Sequence, residues 1–168
     1  MFALSVGCKS MEHNTKTEYE RILDWCLGNK DAANLMYNIS IMSQIADDFV
    51  DRDVPQEDIN SEKMLRMLQI ALINIPLNPF YQKHQSWLIP VISSSLLIWD
   101  ATNDWKKSDV LESQIFSYTY REIGEQILFT VAQCIGGLDH ARKVIREVHD
   151  YYHVELNEKF TDWNKKEK

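Results

Sequence analysis

A chain of 168 residues with 45% hydrophobic, 26% charged and 11% aromatic side chains has the composition of a folded globular protein, not of a disordered one. Its 25 acidic and 18 basic residues leave a formal charge of −7, which repels phosphate backbones and anionic membrane surfaces and disfavours nucleic-acid binding. At this length one hydrophobic core is expected, hence a single helical domain over 15–160 between a flexible N-terminal tail, 1–14, and a frayed charged tail, 161–168.

In chain order, Met1–Gly7 lacks the basic start and the long apolar stretch of a signal peptide. Cys8, Cys26 and Cys134 are odd in number and show no CxxC spacing, which fits buried thiols in a reducing cytoplasm. Helical periodicity dominates, and no stretch alternates as a strand would. The first helix is predicted over Thr17–Leu27, with Ile22, Leu23, Cys26 and Leu27 on one side and Gly28 as terminator. The second starts at Asn29 or Asp31 and reaches Arg52, with Pro55 barring its continuation. Asn60 or Ser61 caps a third helix carrying Met64, Leu65, Leu68, Leu72 and Ile75, and Pro76 closes it.

Leu77–Tyr81 reads as a turn in which Asn78 caps and Pro79 takes the first position of a short helix. A fourth helix follows, with Pro90 in its first turn and its end near Lys106. Leu88, Ile89, Val91, Ile92, Leu96, Leu97, Ile98 and Trp99 surround its axis, so Trp87–Trp99 is expected to be the central buried helix. This run contains Pro90 and three serines and is too short to span a bilayer, so no membrane insertion is expected. Ser108 caps a long fifth helix ending at Gly136–Gly137, and Asp139 opens a sixth that reaches Tyr152. Short loops and the absence of repeats predict an all-α compact bundle of about six helices.

The sharpest local pattern lies inside the second helix, where Gln44, Asp47, Asp48 and Asp51 share an arc of about 100°. Three carboxylates on one face suit Mg²⁺, a hard cation that takes oxygen ligands and keeps other positions for water and a phosphorylated substrate. Leu35, Ile39, Met42, Ile45, Ala46 and Phe49 lie opposite, as on any amphipathic helix, so a solvated acidic face is the competing reading. The acidic side also carries Tyr37 and Ser40 and no Lys or Arg before Arg52, whereas solvated faces favour long charged side chains.

Asp100 and Asp104, one turn apart on the fourth helix, are candidates to complete a metal site; alternatively they mark where that helix emerges into water. Arg121 shares a stripe with Gln114, Ser117, Glu125, Leu128 and Ala132, which places it at the edge of the core. There it can clamp a phosphate, with Gln44, Glu125 and Tyr37 as further substrate contacts, pair with Asp100 or Asp104, or simply pair with Glu125. His149 and His153 are one turn apart but lack a metalloprotease context and read as packed or surface histidines. There is no glycine-rich phosphate loop and no nucleophile elbow.

The string Gln44–Asp51 resembles the second aspartate-rich motif of trans-isoprenyl diphosphate synthases, all-α enzymes that hold a substrate diphosphate through Mg²⁺. That resemblance implies Mg²⁺ chelation by Asp47, Asp48 and Asp51. Asn78–Tyr81, Pro90 and Trp99–Ala101, with the upstream Gln44–Asp48, look like small helical proteins encoded by tailed phages and prophages. This second resemblance implies an accessory protein acting in an infected bacterial cell.

Two readings follow. In one, the protein is a small acidic accessory factor that binds a protein partner or a second copy of itself. In the other, Asp47, Asp48 and Asp51 meet Asp100, Asp104 and Arg121 in a Mg²⁺-dependent site for a phosphorylated small molecule.

Overall fold

The computed structural model of the chain describes residues 16–51, 60–157 and 159–166. The expected N-terminal tail over 1–14, Cys8, the stop at Pro55 and the last two residues lie outside the described residues. Among the described residues the chain is all-α, with seven α-helices and no strand. They are α1 (Glu18–Trp25), α2 (Lys30–Asp51), α3 (Ser61–Gln69), α4 (Pro79–Trp105), α5 (Leu111–Tyr120), α6 (Ile123–Asp150) and α7 (Phe160–Lys166). Helix α3 runs on into a π-helical turn, Ile70–Asn74, and α6 into another, Tyr151–Glu155. The helices divide into two compact units, 1–84 and 85–168.

In the first unit, short polar side chains set the helix ends. The Thr17 hydroxyl accepts from the Glu20 N–H, and the Glu20 carboxylate accepts from the Thr17 N–H at 2.7 Å. This capping box satisfies two donors that the first turn leaves orphaned, and it lowers the Glu20 pKa. Gly28, with φ +76°, takes the left-handed conformation expected of a terminator. Asn29 Oδ1 accepts from the Ala32 N–H at 3.1 Å and starts α2.

Helix α1 then packs on α2. Ile22, Trp25 and Cys26 from one side and Ala32, Ala33, Leu35, Met36 and Ile39 from the other are buried. Two polar bonds fix the pairing: Ser40 Oγ donates to Glu18 Oε1 at 2.6 Å, and the Tyr19 hydroxyl donates to Asn34 Oδ1 at 2.9 Å.

Helix α3 is capped by Asn60, as expected, and lies against α2 together with its π turn. Its apolar side chains do not all face α2, however. Met64, Leu65, Leu68 and Leu72 are exposed, Leu65 by 65% and Leu72 by 70%. Buried instead are Ile70 and Ile75. The reason is the polar side of the helix: Lys63 Nζ donates to Asp48 Oδ2 at 2.8 Å, and Asn74 Nδ2 donates to Asn38 Oδ1 at 3.2 Å. Both bonds reach α2, so the face that carries them turns inward. Asn78 closes the unit, its amide donating to the Asp31 carbonyl at 2.8 Å and its Oδ1 accepting from the Tyr81 N–H at 3.0 Å. Pro79 takes a first helical position, as expected, but the helix it opens is α4 itself and not a separate short one.

The second unit departs further from expectation. Helix α4 is continuous through Pro90, which stands in its interior and not in a first turn. Proline cannot donate to the carbonyl one turn back, a defect that water can repair because Pro90 is on the exposed side. Nor is Trp87–Trp99 a centrally buried helix. Leu88, Ser95 and Thr102, seven residues apart, form its buried face, while Trp87, Ile89, Leu96 and Leu97 are exposed.

The long fifth helix expected to end at Gly136–Gly137 is interrupted earlier, at Arg121–Glu122, and α6 runs through the glycines. The stop survives as a kink, because Gly137 has φ +74° and ψ −170° inside α6. Helix α7 occupies part of the segment expected as a charged tail and packs on α5.

A burial contrast within α4 is directly measurable. Leu88→Ala, at a fully buried side chain, should lower stability by about 2–4 kcal/mol in urea denaturation. Leu97→Ala, at a side chain 70% exposed, should change it by less than about 0.5 kcal/mol. Equal losses would show that α4 is enclosed on all sides.

Candidate functional site

The nine residues singled out by sequence divide between the units. In the first, α2 carries Tyr37, Gln44, Asp47 and Asp48 and ends at Asp51, whose side chain lies outside the described residues. Gln44, Asp47 and Asp48 are half-buried. The Asp48 carboxylate is committed to the Lys63 ammonium of α3, with both side chains partly shielded from water. Tyr37 is exposed and meets Tyr19 edge-on at 5.6 Å. The second unit holds Asp100 and Asp104, both on the exposed side of α4, and Arg121 and Glu125, both partly buried. Among the described residues, no group of three or more His, Cys, Asp or Glu side chains is arranged to hold a metal ion.

Arg121 is the best-organised of these residues. It lies at the break between α5 and α6, where the sequence stripe places it at the edge of the core. Its Nη1 donates to the Tyr118 carbonyl at 2.7 Å, and its Nε is 3.1 Å from the buried Glu122 carboxylate. The guanidinium also lies 4.3 Å over the Tyr118 ring and 6.0 Å from the Trp163 ring. Tyr118 in turn meets Phe160 and Trp163 of α7, both at 5.5 Å. A planar cation suits this setting, since it pairs with a carboxylate and stacks on an aromatic face at once. The cluster therefore fastens α7 to α5.

Sequence reasoning did not find Lys63, Glu122, Tyr118, Phe160 or Trp163 as partners. The only available signal was the spacing of Gln114, Ser117 and Arg121, which marks one stripe of α5. That stripe is indeed inward: Gln114 and Ser117 are buried, with Ser117 Oγ donating to the Thr102 carbonyl at 2.8 Å and Gln114 Nε2 to the Ser108 carbonyl at 2.7 Å.

With small polar residues inside, α5 presents its large apolar ones outside. Leu111, Ile115, Phe116 and Tyr120 are exposed, Phe116 by 53%. Phe116 stacks on Tyr120 at 6.0 Å and lies 6.3 Å from Trp105 at the end of α4. The result is a row of three exposed aromatic rings flanked by aliphatic side chains.

Nucleophilic chemistry has little support. Burial pushes the Cys26 thiol up to about 12, and it also raises Cys134, so neither supplies a thiolate at neutral pH. Burial, and then Lys83, lowers His84, which packs against the Phe80 ring at 4.5 Å.

Arg121→Lys keeps the charge but loses the planar fork and the stacking, and should cost about 1–2 kcal/mol in urea denaturation. Asp100→Asn, at an exposed position, should stay within about 0.5 kcal/mol of the parent. The reverse ranking would contradict both assignments.

Compared with protein-family models, curated proteins and solved structures, the chain matches none of them.

Proposed function

We propose that this chain is a small acidic helical accessory protein that acts by binding another protein, in the manner expected of a phage-type factor. The observation that carries the reading is the inverted polarity of α5. A helix folded for its own sake would bury Leu111, Ile115 and Phe116 and leave Gln114 and Ser117 to water; this one does the opposite. Contiguous exposed apolar surface is the mark of an interaction site, and aromatic residues are the side chains most often found at its energetic centre.

The acids help define the partner. Asp104, Asp109 and Glu112 are exposed next to the aromatic row, with Lys107 also exposed among them. In a chain of charge −7 this favours a partner whose apolar patch has a basic rim. The same charge continues to disfavour nucleic acid. Among the described residues, no helix is long and apolar enough to cross a membrane.

The Mg²⁺ reading has less to support it. Asp48, its central carboxylate, is paired with Lys63, which removes part of the negative charge a divalent ion would need.

The test is photo-crosslinking from α5 in cells that make the protein natively. A photoreactive phenylalanine analogue at Leu111 should give a discrete adduct with a second protein. Phe116→Ala and Tyr120→Ala should each reduce the adduct about tenfold or more, while leaving the melting temperature of the purified protein within a few degrees. If Phe116→Ala instead unfolds the protein, the ring is core and the reading fails. It also fails if the adduct is indifferent to both substitutions.

A further inference from the structure

The outward row of α3 is a second apolar surface, on the other unit and of a different chemical kind. Met64, Leu65, Leu68 and Leu72 fall within an arc of about 100°, and the wider π turn at Ile70–Asn74 brings Ile73 onto the same exposed side. The opposite side is already occupied by Lys63, Ile70 and Asn74 against α2. One face of this helix is thus committed to α2, and the more apolar one is exposed.

We infer that a second copy of this chain covers it, through a symmetric pairing of α3 with α3. This rests on the reading of the protein as a binding module and names one of its partners.

Three features of the row favour self-pairing. First, Met64 to Ile73 form a ridge of aliphatic side chains about 13 Å long. Two such ridges interdigitate about a two-fold axis, so one patch serves both sides of the interface. Second, Lys63 is taken up by Asp48 of α2, which leaves Glu62 and Arg66 to balance each other on this helix, whereas the chain as a whole is acidic. Two copies of charge −7 repel wherever acidic surfaces meet, and α3 offers an approach that avoids this.

The third feature is area. The exposed parts of Met64, Leu65, Leu68, Leu72 and Ile73 amount to roughly 500 Å² per copy, or about 1,000 Å² for the pair, the area at which a specific but weak interface begins. An interface of this size is that of a weak, reversible dimer, not an obligate one.

Sedimentation equilibrium of the full chain between about 1 and 200 µM tests the inference. The mass should rise from the 19.7 kDa of one chain towards twice that value. Leu68→Glu, at an exposed position, should raise the dissociation constant at least tenfold with an unchanged helical circular dichroism spectrum. Leu65→Lys is the second variant and should act in the same way, since like charges then face each other across the axis.

Phe116→Ala, on the other unit, should leave self-association unaltered. A monomer throughout the range overturns the inference, and so does a dimer indifferent to both α3 substitutions. A dimer abolished by Phe116→Ala places self-association on α5 and overturns it as well. The crosslinking from α5 stands or falls separately, so failure here is distinguishable from failure of the broader reading.

Discussion

The fold of the first unit turns on which side of α3 meets α2. Amphipathic helices ordinarily direct their apolar side inward, because each buried aliphatic side chain contributes roughly 1.5–3 kcal/mol. Here two long-range polar bonds, Lys63 to Asp48 and Asn74 to Asn38, lie on the side that also carries Ile70 and Ile75. Inward, that side satisfies its polar groups against α2 and still buries apolar surface. The alternative would bury Leu65, Leu68 and Leu72 but return Ile70 and Ile75 to water. Partial shielding of the ion pair strengthens it without the full desolvation cost of a deep one.

The second unit repeats the theme with different groups. Helix α5 is held by Ser117 to the Thr102 carbonyl and by Gln114 to the Ser108 carbonyl, bonds that draw its small polar side inward. Its aromatic side faces out as a consequence. Arg121 then closes the end of α5 by joining Glu122, the Tyr118 ring and α7. In both units hydrogen-bonded polar residues choose the packed side of a helix, and large apolar residues are left exposed.

Local signals were the legible part of the sequence. Caps at Asn60 and Asn78, the helix start at Asn29, the proline at position 79 and the terminator Gly28 all act within a few residues, and their geometry follows from side chains adjacent in the chain. The all-α class follows from periodicity alone. Helix facing was not legible, because periodicity identifies an apolar side without saying whether that side is buried or exposed. Pro90 was misplaced for a related reason: a helix long enough to be supported on both sides tolerates one missing donor on its exposed side. The Asp48 pairing was invisible because Lys63 lies 15 residues away on another helix.

The packing of the first unit depends most on the inward side of α3, and a double-mutant cycle on its ion pair examines that side directly. Asp48→Asn, Lys63→Gln and the double variant, measured by urea denaturation at low salt and at concentrations where the protein is monomeric, isolate the coupling between the two side chains. A coupling of about 0.5–1 kcal/mol, reduced by added salt, is the predicted result. A coupling of zero would mean that Lys63 does not face α2, and the outward row of α3 would lose its foundation.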